Sequence, residues 1–408
     1  MKKLFGFIFA FLLVQAATAQ LTPEITAWIR NDTGAVGYNN IPSNVQLVQY
    51  SASNVYISCT CIPGYSIGPW SGNPNTPSNQ NFVFKITRNP VQNTGVATTI
   101  GLGHTGVWTN GVSVFNVSDA QSYNNQGVWN RNAEYWEGSG FDNCLGHPQQ
   151  QGEYHHHVSP KCLYDETDST HHSPIIGYAF DGFPIYGAYA YTNVNGTGPI
   201  KRMRSSYITR NITTRDTLPS GAAAGSAGPA VGGMYPLGAF IEDYKYVAGS
   251  GDLDDRNGRF CITPDYPQGI YAYFVTIDSN LDPVFPYTPY GSYYGVVQSG
   301  NTGPASGHNT VSEATTTYTA VQNVAPQIKF EITPNLVHDY AYLYFDPISA
   351  NNITASLYNA QGTLLNTYTY MQPSISYSID LSAYPAGIYF LRMQTEKQKY
   401  VQKIVKVK

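Results

Sequence analysis

Gly146-His147-Pro148, then Gly152-Glu153-Tyr154-His155-His156-His157-Val158-Ser159-Pro160-Lys161-Cys162, then His171-His172-Ser173-Pro174-Ile175-Ile176-Gly177-Tyr178-Ala179-Phe180-Asp181-Gly182-Phe183-Pro184-Ile185-Tyr186-Gly187 follow one another between residues 146 and 187. The chain has nine histidines, and six of them (147, 155, 156, 157, 171 and 172) fall within 26 residues. An even scatter would place fewer than one there. Read as extended backbone, the triplet divides by face because successive side chains alternate. His155 and His157 point one way; Tyr154 and His156 point the other. The β-branched and aromatic runs beside the histidines, closed by Gly-Phe-Pro turns, belong to strands rather than helices.

The rest of the chain has the same character. Only 12% of its 408 residues are charged, 14% are aromatic, and glycine and proline number 38 and 26. Windows rich in Ala, Leu, Glu and Lys are missing. The expected class is mainly β: a large β-rich domain followed by a small C-terminal β-sandwich. Asn110-Gly111 between Val107-Trp108 and Val112-Ser113-Val114-Phe115 predicts a hairpin, and residues 128–141 allow one short helix. Residues 189–233 read as an insertion or long surface loop, ending in a flexible Gly/Ala/Ser stretch. Asp252 to Gly258 reads as a capped acidic turn rather than a calcium loop, since the glycine falls one place late and Arg256 stands at a ligand position.

Lys2-Lys3, an apolar run from Leu4 to Val14 and Ala17-Thr18-Ala19 form a secretory signal over residues 1–19. The run is too short to span a bilayer, and no other segment approaches 18 apolar residues, so no transmembrane segment is expected in the mature protein. The net charge of −4 and the absence of a basic stripe interleaved with aromatics argue against nucleic-acid partners. Residues 20–298 make the first domain, a Ser/Thr/Asn/Gly-rich linker covers 299–329, and 330–408 make the second domain with about seven short strands.

Export permits disulfides. Cys144 and Cys162 are the preferred pair, closing a loop around the triple histidine. Cys59 and Cys61 lie too close along one strand to bridge, and one of them is a candidate partner for Cys261.

The histidines suit a transition metal, copper or zinc, held by His155 and His157 with His147 or His172 folding back; His171 is a further candidate. Asp181, Asp165 and Tyr154 are the groups placed to orient the rings. Two other readings stand beside this one: a hydrogen-bonded structural core, and metal-free acid–base catalysis by His155 or His157 with Asp181. A surface module for a glycan or small-molecule ligand, with Trp70, Trp108, Trp129 and Trp136 as stacking platforms, is a further alternative. A Ser-His-Asp hydrolase is poorly supported, because no Gly-x-Ser-x-Gly elbow is present. The catalytic residues of any reaction stay unassigned. His104, beside a glycine turn, reads as structural.

Residues 62–290 resemble the YHYH protein family. The resemblance is carried by His147-Pro148, Tyr154-His155-His156-His157, Pro160, Cys162, the run Ser173 to Gly187, Gly251-Asp252-Leu253-Asp254, Asn257 to Pro264 and Tyr271 to Thr276. His156 stands where the family's name has tyrosine. The family's activity is unsettled, so the resemblance implies no reaction. Residues 330–408 resemble the C-terminal sorting domain of the type IX secretion system of Bacteroidetes, through Ile332-Thr333-Pro334-Asn335, Leu357 to Gly362, Pro385-Ala386-Gly387-Ile388-Tyr389 and a basic last strand. That resemblance implies passage through the periplasm, handling by the secretion machinery, and release or attachment at the cell surface.

Overall fold

A computed structural model describes residues 21–303, 306–319, 330–333, 336–345, 353–370, 376–394 and 399–407. The expected export signal lies outside them. The chain divides into a unit ending at Thr319 and a second beginning at Ala320.

The first unit is built on an eight-stranded sheet. Its strands run, in spatial order, Gly258–Cys261, Ile270–Phe274, Pro184–Tyr186, Ile175–Ala179, His104–Trp108, Ser113–Phe115, Tyr154–His156 and His147–Pro148. The central strands are buried on both faces. Val107, Trp108, Tyr178, Ile185, Tyr186 and Phe274 are core residues, which is why these segments read as continuous apolar runs rather than alternating ones. A four-stranded sheet of Val45–Tyr50, Asn54–Cys59, Phe82–Thr87 and Thr316–Thr317 contributes Val48, Ile57 and Phe84 to the same core.

The Asn110-Gly111 hairpin forms, with Trp108 N–H donating to Val112 O at 2.8 Å. Gly111 has φ +83°, and a Cβ there would stand 2.5 Å from the Cβ of Cys59, so both conformation and space require glycine. The short helix of residues 128–141 is Ala133–Glu137. The acidic turn is closed by its own side chain: Asp254 Oδ1 accepts from the Arg256 and Gly258 N–H groups.

Two expectations are corrected. Residues 189–233 are not a loose surface loop. Tyr189–Tyr191 pairs with Ile200–Arg202, and Tyr207–Thr209 with Tyr244–Tyr246. Arg215 is buried at the centre of the region. Its Nε donates to Asp243 Oδ1 at 2.7 Å, and its remaining N–H groups reach Asp243 Oδ2 and the carbonyls of Pro229, Tyr235 and Pro236. One buried guanidinium organises a stretch whose Gly/Ala/Ser composition signals only looseness. Replacing Arg215 with Met leaves Asp243 uncompensated inside the fold and is expected to cost about 3–5 kcal/mol, read as a lowered urea midpoint.

The second correction concerns the linker. From residue 299 to Thr319 the chain belongs to the first unit. Thr316–Thr317 pairs with Gln49 and Tyr50, and Asn301 exchanges hydrogen bonds with the Lys85 backbone at 3.0 and 2.6 Å. Glu313 accepts from Asn54 and Tyr56. Side-chain amides and hydroxyls that suggest a solvated tether are here bonded to strand edges.

The second unit has a three-stranded sheet (Phe330–Thr333, Tyr340–Phe345, Ser376–Asp380) and a five-stranded one (Leu336–Val337, Lys399–Lys406, Gly387–Gln394, Ile353–Asn359, Leu364–Tyr370). Ile332, Leu343, Leu357, Ile379, Leu391 and Ile404 form its core. Along Gly387–Gln394 burial alternates residue by residue, as a strand with one face inward requires.

Candidate metal centre

The strand Tyr154–His156 lies next to the edge of the large sheet. It runs parallel to Ser113–Phe115, with Ser113 opposite His155, and antiparallel to His147–Pro148, with His147 opposite His155. Directly opposed residues of neighbouring strands share a face, and so do residues two apart on one strand. Register alone therefore brings His147, His155 and His157 together. Their ring centroids are 4.5, 4.8 and 5.6 Å apart, and one nitrogen of each lies within 4.8 Å of the others. All three rings are buried, and they line a cleft of about 1630 Å³.

The hydrogen bonds fix which nitrogens face the cluster. His155 Nδ1 is 3.1 Å from Glu153 O, and His157 Nδ1 is 2.5 Å from Asn116 O. A carbonyl oxygen only accepts, so each Nδ1 carries the hydrogen. In the neutral rings both Nε2 atoms are then bare, and they stand 3.0 Å apart. Two opposed lone pairs at that distance repel, and a cation beside them turns the repulsion into attraction. Burial, reinforced by the neighbouring His147 and His157, holds His155 well below the ordinary imidazole pKa, so the neutral form is favoured. Burial also lowers His147, to about 4, with His157 adding to the effect.

Glu137, at the end of the short helix, completes the group. Its Oε2 is 3.2 Å from His157 Nε2 and 3.6 Å from His147 Nε2. This oxygen and His147 Nε2 are both buried without a hydrogen-bond partner. Burial pushes the Glu137 pKa upward, but His157, His147 and Arg131 outweigh it and leave the pKa below the usual value. Glu137 is therefore an anionic oxygen beside the imidazoles of His147 and His157.

Behind these residues, Phe115 stacks on the His155 ring at 3.9 Å. Cys144 and Cys162 are disulfide-bonded with Cα atoms 5.1 Å apart, as expected. The bond closes the loop that carries the histidine strand. Cys59, Cys61 and Cys261 are free and buried, so the anticipated bond to Cys261 is not made.

Several expected members lie elsewhere. His172 packs on Tyr186 and Phe274 and hydrogen-bonds to Ser173 O. The Pro184–Tyr186 strand is four positions from the histidine strand in the sheet, roughly 19 Å at 4.8 Å per strand. His171 is exposed and paired with Asp168. Asp181 accepts from Tyr273 Oη and the N–H groups of Phe183 and Gly295. Tyr154 donates to Asp142 on the opposite face, and Asp165 closes an exposed turn at Thr167. None of these three orients a ring of the cluster. Glu153, Asn116 and Glu137 stand in their place. Glu153 could have been suspected from its position before the motif; nothing in the sequence ties Glu137 or Asn116 to it.

The tryptophans form no stacking row. Trp108 and Trp129 are fully buried, and Trp70 Nε1 is bonded to Gly146 O. Trp136 lines the cleft, with Arg131 over its ring at 4.4 Å.

Residues 83–285, which hold the whole cluster, match the family described as YHYH protein. The first unit carries a YHYH domain. Its name-giving motif falls on Tyr154-His155-His156-His157, with His156 at the second tyrosine. In the YHYH domain that position faces away from the cluster: the His156 ring lies against Tyr154 and Trp108. Residues 331–408 match the secretion system C-terminal sorting domain. The protein is thus exported, to the cell surface or beyond it, and its tail is the part addressed to the secretion machinery. Among the described residues no helix is long and apolar enough to cross a membrane. Comparison with curated proteins gives no match.

Proposed function

We propose that the YHYH domain binds one transition-metal ion, copper or zinc, through Nε2 of His147, His155 and His157. The observation that supports this reading most is the 3.0 Å approach of two Nε2 atoms whose partner nitrogens both donate to carbonyls. Nitrogens on one ion lie no more than about 4.2 Å apart, twice a metal–nitrogen bond. Small ring rotations bring the present spacing within that limit. Imidazole donors suit both metals.

Three protein nitrogens leave a further position on the cleft side, the arrangement of a reactive rather than a purely structural site. Bound there, the ion would act as a Lewis acid or redox centre and acidify a coordinated water. Glu137 is placed to accept a proton from such a water or to serve as a fourth ligand. Among the described lining residues there is no lysine or arginine, while Asp119, Glu137 and Glu153 line the same cleft. Beyond the ion itself, the wall offers an anionic substrate no side-chain cation. The metal-free reading with Asp181 loses its support, because the Asp181 oxygens are engaged by Tyr273 and by backbone N–H groups.

Elemental analysis of protein purified without a histidine tag tests the proposal. About one ion per chain is expected after incubation with Zn²⁺ or Cu²⁺ and desalting; a metal-free product after both incubations would overturn it.

A further inference from the structure

A second buried group borders the same cleft. His104 Nε2 is 2.6 Å from Glu153 Oε1. On its other side, His104 Nδ1 is 3.2 Å from Asn301 O and 3.0 Å from Ser306 Oγ. Ser306 Oγ in turn lies 2.7 Å from Gly303 O and 2.8 Å from Asn301 O. A hydroxyl crowded by two carbonyl oxygens has its hydrogen committed to one of them. Nδ1 of His104 therefore donates, and Nε2 faces a carboxylate. Held on one ring nitrogen by Glu153 and on the other by Asn301 and Ser306, His104 is a clamp between these residues rather than a base that could activate Ser306.

Glu153 carries this clamp to the metal cluster. Its side chain is gripped by His104, and its backbone carbonyl receives the Nδ1–H of His155. A second route leads through Phe115, which packs edge-on to His104 at 5.4 Å and stacks on His155. The residues holding His104 are themselves pinned: Asn301 bonds to the Lys85 backbone, and Asn309 Nδ2 donates to Val83 O at 2.9 Å and Asn301 Oδ1 at 2.7 Å. Residues 301–309 lie beyond the matched family region, which ends at residue 285.

We infer that His104 and Glu153, anchored by Asn301, Ser306 and Asn309, are positioning residues for the metal site: they hold His155 in the tautomer and orientation that turn its Nε2 toward the ion. The inference rests on the metal-binding reading above. It gives the Ser/Asn-rich segment after the family region a role in the site, and it predicts that ligand geometry responds to a residue that does not touch the ion. Partners that orient a ligating histidine typically change metal affinity by about 10–100-fold when removed.

The experiment uses the full exported chain loaded with Co²⁺, whose visible absorption reports ligand geometry. His104→Ala is expected to weaken binding by about 10–100-fold in competition with a chelator and to shift the Co²⁺ bands. Glu153→Gln keeps an oxygen that can accept from His104 and leaves the backbone carbonyl in place, so it should retain most of the affinity and the wild-type spectrum. Melting of the metal-free variants separates misfolding from mispositioning. If His104→Ala folds and binds Co²⁺ with unchanged affinity and spectrum, the inference is overturned and His104 serves stability alone. If His104→Ala does not fold, Ser306→Ala, which removes a single contact to the clamp, should still shift the bands; an unshifted spectrum there would equally overturn it. Failure of the wild-type protein to bind Co²⁺, Zn²⁺ or Cu²⁺ would instead remove the metal-binding reading.

Discussion

The His155→Ala/His157→Ala variant is expected to lose its metal. Two of three nitrogens disappear, leaving His147 with Glu137, which cannot hold a borderline ion against water and a weak chelator. The loss should exceed the roughly 10–100-fold penalty for disturbing an orienting partner, so no metal should survive desalting. The folded state is expected to tolerate the change. In the metal-free protein the two Nε2 atoms oppose each other at 3.0 Å, and deleting them relieves that repulsion while exposing some of the Phe115 face. A variant that melts near the wild-type metal-free temperature yet carries no ion separates binding from folding. Equal metal content in variant and wild type would exclude the pair as ligands.

Chelation should produce the second large effect. An ion that binds the folded cluster and not the unfolded chain stabilises by mass action, by about 4 kcal/mol when free metal is a thousand times its dissociation constant. For a unit of roughly 300 residues this corresponds to about 6 °C in melting temperature. The shift should depend on metal concentration, affect the transition of the first unit, and vanish in the double variant. The second unit, whose core of Leu343, Leu357, Leu391 and Ile404 is separate from the histidines, should melt at the same temperature with and without chelator. Identical melting of the first unit in both conditions would count against a bound ion.

How much of this was written in the sequence depends on the range of the interactions. Alternation along an extended Tyr154–His157 separated His155 and His157 from His156, and the structure keeps that division. The hairpin at Asn110-Gly111, the Cys144–Cys162 bond and the mainly β character were also legible, because each rests on local chemistry or on a pattern within a few residues. The third histidine was ambiguous: His147 and His172 are equally plausible by spacing, and only strand register places one opposite His155 and sends the other four strands away. Asp181 looked suitable because it is near in sequence, but the turn that carries it faces Tyr273. Glu137 and the Asn116 carbonyl were invisible, since a short helix and a strand end approach the cluster through tertiary packing alone. Composition misled twice. Asn301, Asn309 and Glu313 look like parts of a tether and are bonded to strand edges, while the 189–233 region is organised by Arg215, which nothing in its sequence neighbourhood marks as buried.

The central claim is that the three Nε2 atoms share one ion. X-ray absorption at the metal edge of zinc- or copper-loaded, untagged protein tests it most directly. The account predicts a first coordination sphere with three imidazole nitrogens at about 2.0–2.1 Å and no sulfur. It also predicts that this imidazole signature is lost in the His155→Ala/His157→Ala variant. A shell of oxygen atoms alone, a sulfur contribution near 2.3 Å, or the same spectrum from the variant would contradict it.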